Sequence, residues 1–274
     1  MELKNKVILI TGSTDGVGRR VAQRLGTAGA TVLIHGRDRT RANSLSREIQ
    51  NSGGVAIFYR ADLESLAEVR GLADAVKRDH NRLDILINNA GIGIGGHYPR
   101  RQLSREGYEL RFAVNYLSAF LLTQLLLPLL KMSRPARIVT VASGGQEAID
   151  FSDVMLIHGY SGRRAYCQSK LAQIMFTFDF ARELEGSGVT ITCLHPATYM
   201  DTAMVREDGI SPTSTVDEGA DAILHLATSD EMEGRTGLYF DGLRPSRAKP
   251  QAYDAAARER LRLLSLKLVG LSVR

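Results

Sequence analysis

The chain has 274 residues, 44% hydrophobic and 24% charged, without repeats or low-complexity tracts; this is enough apolar material for one sizeable core and excludes a disordered or fibrous protein. Its two cysteines, Cys167 and Cys193, exclude a disulfide scaffold and lack metal-ligand spacing, so they read as reduced packing residues of a cytoplasmic protein. The net charge of +5 lies in the tail, where eight Lys and Arg from Arg244 onward face Asp254 and Glu259, leaving 27 basic and 28 acidic residues upstream; a solvated, partly amphipathic helix explains that tail, and no nucleic acid is expected as a partner.

The first apolar run, residues 7–10, is too short for a signal-peptide core and leads into a glycine-rich turn, so no export is expected. Runs rich in β-branched residues at 6–11, 31–35, 54–59, 83–88, 136–142, 189–194 and 237–240 read as strands, with helical patterns between nearly all of them. Such alternation implies parallel strands joined by crossover helices, and continuous apolar runs such as Val-Ile-Leu-Ile imply a sheet covered on both faces. The predicted fold class is α/β, a doubly wound parallel sheet of Rossmann type in a single domain. Residues 1–243 form its body, and the basic tail 244–274, with one helix, belongs to the same domain. The apolar stretch 112–130 is interrupted by Asn115, Ser118, Thr123, Gln124 and Pro128, as a buried or interface helix tolerates, and no membrane span is expected.

Ligands of such sheets bind beyond the carboxyl ends of the strands. The first strand runs into Thr11-Gly-Ser-Thr-Asp-Gly-Val-Gly18 and then a helix, which places Gly12, Gly16 and Gly18 where a backbone must turn sharply and approach a pyrophosphate. A dinucleotide is the expected ligand. The second strand ends His35-Gly36-Arg37 with no carboxylate at its tip, and Arg37 suits a 2′-phosphate, so NADP(H) is favoured. Asp38, one residue on, keeps NAD(H) open, and Asp15 adds negative charge beside the phosphate.

Farther along, Tyr166 and Lys170 stand one helical turn apart in Tyr-Cys-Gln-Ser-Lys, which puts phenol and ammonium on one face. A free phenol titrates near roughly 10, and an adjacent cation favours the phenolate, so the pair reads as a tuned proton donor. Taken alone, it is equally a packing tyrosine beside a solvated lysine.

Together the Thr-Gly-x3-Gly-x-Gly loop, Asn88-Asn89-Ala90-Gly91, Asn115 in Phe-Ala-Val-Asn-Tyr, Ser143 and the Tyr166/Lys170 pair resemble the short-chain dehydrogenase/reductase family. The stretch Tyr-Cys-Gln-Ser-Lys-Leu-Ala-Gln, with Ala-Arg-Glu-Leu-Glu-Gly and Leu-His-Pro, is similar to its retinol-dehydrogenase-like branch and bacterial relatives. That resemblance implies an oxidoreductase moving a hydride between NADP(H) and a carbonyl or alcohol. Tyr166 would exchange the proton, Lys170 would lower its pKa and hold the nicotinamide ribose, Ser143 would bond the substrate oxygen, and Asn115 would order a relay water. Gly12, Ser13, Thr14, Asp15, Gly16, Val17 and Gly18 would cradle the cofactor, Asp62 and Leu63 would flank its adenine, and Asn89 and Ala90 its centre. Asp62 reads equally as a helix N-cap, Ser143 as a cap rivalled by Ser152 and Ser161, and Asn115 as a satisfied buried amide.

Two departures from the family's pattern stand out. Pro196-Ala197 replaces its Pro-Gly, leaving Thr198 or Thr202 to bond the carboxamide. Ser143 and Tyr166 are 23 positions apart, a long separation, and the apolar Phe151, Val154, Met155, Leu156 and Ile157 in it, with Tyr199, Met200 and Met204, imply a lipophilic ketone or aldehyde as substrate. His97, His158 and His195 are scattered and read as structural or surface residues, and no metal is expected. A catalytically silent dinucleotide-binding module would have lost the Tyr/Lys pair, and an epimerase or dehydratase usually carries a larger substrate domain. Apolar faces at 117–130 and 171–180 look too extensive for one copy, so a homodimer or homotetramer is expected.

Overall fold

Seven parallel strands are β1 (Val7–Ile10), β2 (Thr31–Gly36), β3 (Val55–Arg60), β4 (Ile85–Asn88), β5 (Ala136–Val141), β6 (Val189–His195) and β7 (Leu238–Asp241); a three-residue strand, β8 (Arg244–Ser246), turns back antiparallel on β7. In the computed structural model, which describes residues 1–96 and 100–272, they form one sheet in the order β3-β2-β1-β4-β5-β6-β7-β8. The order reverses between β1 and β4, which makes the carboxyl ends of β1, β4, β5 and β6 the place for a ligand. The chain is a single α/β domain of Rossmann type.

Alternate residues of one strand feed two separate cores. Ile8 and Ile10 pack among α1 (Gly16–Thr27), α2 (Arg39–Asn51) and α7 (Val216–Thr228), while Val7 and Leu9 face α3 (Leu66–Asp79), α4 (Ser118–Met132) and α5 (Gly162–Glu183). A π-helical turn, Phe112–Leu117, leads into α4. Together they form a helix, Phe112–Met132, long and apolar enough by length and composition to cross a membrane, yet its most apolar window is 72% buried inside this fold. Such burial is what a core helix of a two-sided sheet requires.

The short α6 (Ala203–Glu207) follows β6, and the chain ends in α8 (Ala255–Leu268), capped by Asp254, whose carboxylate accepts from the amides of Ala256 and Ala257. That last helix packs on α5, one of the two apolar helices expected to meet a second copy. Leu261 and Leu266 are buried, the Tyr116 hydroxyl meets Ser265 Oγ at 2.7 Å, and the Tyr108 hydroxyl donates to Leu268 O at 2.9 Å. Basic side chains of the tail serve the same contact: Arg262 pairs with Asp179 at 3.4 Å, and the Arg260 guanidinium lies 4.8 Å from the Phe151 ring centre. Their stems and planar heads cover apolar surface, so the tail's charge is partly packing material.

Candidate active site

Between β1 and α1 the loop is held by its neighbours on every side. Gly12 has φ +64°, and a Cβ there would stand 2.8 Å from Ala90 Cα; one on Gly18 would stand 2.4 Å from the Gly12 carbonyl oxygen. The Asn89 side-chain amide donates to Thr11 O at 2.9 Å and Gly12 O at 3.1 Å, and the Thr11 hydroxyl accepts from the amides of Asn89 and Ala90, each at 3.0 Å. Thus the predicted Asn89 and Ala90 do meet the glycine loop. Asp15 caps α1 through Gly16 N at 2.8 Å, and that helix's first turn offers amides it cannot itself use. A cradle that has no room for a Cβ at Gly12 or Gly18 and is rimmed by amides fits a dinucleotide's pyrophosphate. Ser13 and Val17 turn their side chains into the fold, so a ligand there would meet their backbone.

Sequence reasoning missed His35. Its imidazole is buried, Nδ1 accepts from Gly12 N at 3.1 Å, and its backbone N–H donates to Ser13 Oγ at 3.0 Å. Burial pushes its pKa down to about 4, which keeps the ring neutral and Nδ1 an acceptor at neutral pH. A lone histidine in an otherwise apolar strand is the only signal the sequence carries for it.

At the tip of β2, Arg37 is exposed and faces Asp62 across 3.6 Å. Asp38 is committed elsewhere, its Oδ1 capping α2 through the amides of Thr40 (2.8 Å) and Arg41 (3.1 Å). Arg41, also unforeseen, pairs with both Asp15 and Asp38 and offsets the negative charge of that corner. Asp62 is not a helix cap as its position allowed: Ser65 caps α3, and Asp62 Oδ1 accepts from Glu64 N at 3.2 Å. The Leu63 side chain is buried in the core.

Catalytic candidates converge at the carboxyl end of β5. Ser143 lies two residues beyond the strand, where its Oγ accepts from Gly145 N at 3.0 Å and hydrogen-bonds the Tyr166 phenol. Lys170 Nζ stands 5.6 Å from the centre of the Tyr166 ring and donates to Val141 O at 3.0 Å. Asn115, in the π-helical turn, is fully buried; its Oδ1 accepts from Ile92 N at 2.8 Å, and its Nδ2 donates to Ser169 Oγ at 3.0 Å. π-helical turns of this kind often sit at functional positions, and this one brings the amide under the β4 loop.

The direction of the phenol's shift differs from expectation. Burial raises Tyr166 to about 12, against the lowering by its Ser143 hydrogen bond, and burial lowers Lys170 to about 7. Both neutral forms are favoured in a dry site, and a lysine that is half neutral at pH 7 pulls weakly on its neighbour. Protein groups alone therefore keep Tyr166 protonated, ready to donate.

A family model for short chain dehydrogenase matches residues 6–211. The chain belongs to the short-chain dehydrogenase family. Retinol dehydrogenase 13 of Mus musculus is 34% identical, spanning 99% of this chain and 86% of that protein; retinol dehydrogenase 14 of Homo sapiens is 36% identical, spanning 98% and 88%. Among solved structures, an uncharacterized protein from Mycobacterium paratuberculosis matches with a TM-score of 0.82 at 28% identity, covering 100% of this chain and 96% of that one. The Pseudomonas aeruginosa RhlG/NADP active-site complex matches with a TM-score of 0.72 at 29% identity, covering 88% and 95%.

This short-chain dehydrogenase carries a further buried network beside the candidate catalytic corner. Arg111 Nε donates to Gly93 O at 2.8 Å and its Nη1 to the Tyr160 hydroxyl at 2.7 Å, while that hydroxyl donates to Glu109 Oε1 at 3.2 Å. These links tie the long Ser143–Tyr166 segment to the start of the α4 helix. The segment's apolar residues mostly pack: Leu156 is buried, Val154 and Met155 lean on the core, Phe151 lies under Arg260, and Ile157 is exposed. Beyond β6, Thr198 is exposed and bonded to His195 Nε2 at 3.0 Å, whereas Thr202 caps α6 and its methyl would meet a Cβ on Gly16 at 3.4 Å. Met200 packs against Gly219, and Met204 reaches over Gly93. His158 is exposed beside Asp153, and His97 lies outside the described residues. Among the described residues no group of three or more His, Cys, Asp and Glu is placed to hold a metal ion.

Proposed function

We propose that this chain is an NADP(H)-dependent carbonyl reductase whose substrates are lipophilic ketones or aldehydes. The observation that carries the reading is the convergence of Tyr166, Ser143 and Lys170 at the end of β5, beside a glycine loop with no room for a Cβ at Gly12 or Gly18. A bound nicotinamide supplies the hydride to the carbonyl carbon. Tyr166, protonated at neutral pH, gives its hydroxyl proton to the carbonyl oxygen, and the Ser143 hydroxyl bonds the same oxygen as charge builds on it. Lys170 would hold the ribose end of the cofactor, and Asn115 fixes the β4 loop against α5. Arg37, exposed at the tip of β2, would meet a 2′-phosphate, while Asp38 spends its carboxylate on the α2 cap; this supports NADP(H) over NAD(H). Solved neighbours described with NADP, and relatives named for retinol, support the cofactor and the lipophilic substrate class.

The test pairs cofactor binding with turnover. NADPH should bind at least tenfold more tightly than NADH, Arg37→Ser should remove most of that difference, and Tyr166→Phe should slow reduction of a long-chain aldehyde by about 10²–10⁴-fold. Equal affinity for the two cofactors, undiminished turnover by Tyr166→Phe, or activity confined to small hydrophilic ketones would overturn the corresponding part.

A further inference from the structure

Two loops meet above the catalytic corner, one leaving β4 and the other β6. In the sheet β4 and β6 flank β5, so any link between these loops passes over the end of β5, where Ser143 and Tyr166 lie. Such a link exists. The carboxylate of Asp208, just past α6, accepts from the amides of Ile94 (3.1 Å), Gly95 (3.1 Å) and Gly96 (2.9 Å). Successive amides converging on one anion form a nest, and bonds to a charged acceptor are the stronger kind.

The sequence of the β4 loop suits this contact, since Gly91, Gly93, Gly95 and Gly96 occupy four of six positions. A Cβ on Gly93 would stand 2.5 Å from Asp208 Oδ2 and 2.9 Å from Met204 Cγ, so a side chain there would push the α6 segment away. Nearer β4 the same loop is anchored, through Asn115 to Ile92 N and through Arg111 to Gly93 O. The α6 segment, by contrast, is a five-residue helix with none of its residues fully buried. One wall is therefore fixed, while the other, seated through Met200 against Gly219, is tied to the β4 loop by the Asp208 carboxylate and by Met204 over Gly93. The charge of Asp208 also reaches the Tyr166 phenol, adding to burial in disfavouring the phenolate.

We propose that Asp208 is the latch of a flap, formed by α6 and the residues around it, that closes over bound carbonyl substrate and must release for substrate to arrive and product to leave. The role is positional, because Asp208 acts through the flap and not on the reacting atoms. It rests on the reading of the site as a carbonyl reductase, and the test separates the two. In Asp208→Asn, hydrogen exchange at the amides of residues 94–96 should quicken at least tenfold, with Asp208→Glu restoring part of the protection. The KM for a long-chain aldehyde should rise about tenfold while the Kd for NADPH stays within twofold, a split that general damage to the fold would not produce. Unchanged exchange in Asp208→Asn overturns the latch, and faster exchange with unaltered KM and kcat overturns its gating role. Exchange needs no turnover, so a chain that reduces no carbonyl defeats the functional reading while the exchange measurement still decides the latch.

Discussion

Replacing Lys170 with methionine should stabilise the fold while disabling the site. Burial lowers the Lys170 pKa from 10.5 to about 7, whereas the unfolded chain keeps the ordinary value. Each unit of that difference is worth about 1.4 kcal/mol, so at and below pH 7 the buried ammonium costs the fold on the order of 4 kcal/mol. Methionine fills a similar volume without charge, and losing the 3.0 Å bond to Val141 O gives back about 1 kcal/mol. Lys170→Met is then expected to gain about 3 kcal/mol at pH 7, a large share of the usual 5–15 kcal/mol total. Its pH dependence has a definite sign. Between pH 7 and about 10.5 the folded lysine is neutral while the unfolded one still binds a proton, so stability of the unaltered chain rises with pH and the variant's advantage shrinks. Urea unfolding of both proteins at pH 7 and pH 10 measures this. A variant less stable at pH 7, or an advantage equal at both pH values, refutes the claim that Lys170 is held against its solvation preference.

The neutral His35 makes the opposite demand at low pH. Its folded pKa of about 4 lies below the unfolded 6.5, so stability is full above pH 6.5 and is lost as pH falls toward 4, by about 3 kcal/mol. His35→Asn, which keeps an acceptor for Gly12 N, should lose about that much less between pH 7 and pH 4, and urea midpoints at the two pH values check it. On the far side of the fold, Leu261 is 1% exposed under the C-terminal cap, and Leu261→Ala should lose about 3 kcal/mol in the same assay. The expected homodimer or homotetramer is checked by light scattering at micromolar concentration, where the mass of one chain would defeat it.

Regular elements were legible because their signal is local. Val-Ile-Leu-Ile in β1 and Arg-Ile-Val-Thr-Val in β5 are apolar on both sides since helices cover both faces, and the seven parallel strands fall within a residue or two of the predicted runs. The four-residue spacing of Tyr166 and Lys170 placed both on one face for the same reason. By contrast β8 has only three residues, one of them Pro245, and its pairing depends on β7 as an edge to lean on. Adjacency is written in a spacing, but dielectric is not. Whether Lys170 acidifies Tyr166 depends on how much protein closes over both, and that closure comes from β5, α5 and the loops together.

Contacts between distant residues account for the remaining gaps, and in each a charge behaves differently from its count. Asp15 and Asp38 look like obstacles to a phosphate until Arg41, 26 positions beyond Asp15, is seen to pair with both. The eight basic residues of the tail look like a solvated stripe, yet Arg262 pairs with Asp179 and Arg260 stacks on Phe151, because a helix docked on α5 must satisfy its charges where it lands. The same argument bears on Asp208. Three backbone amides from a glycine-rich loop stabilise a carboxylate as well as an arginine would, and no residue pattern marks them as a partner. A loop of glycines after β4 is therefore more than a flexible connection: it supplies bare amides at the one place where a flap from β6 can be held across the end of β5.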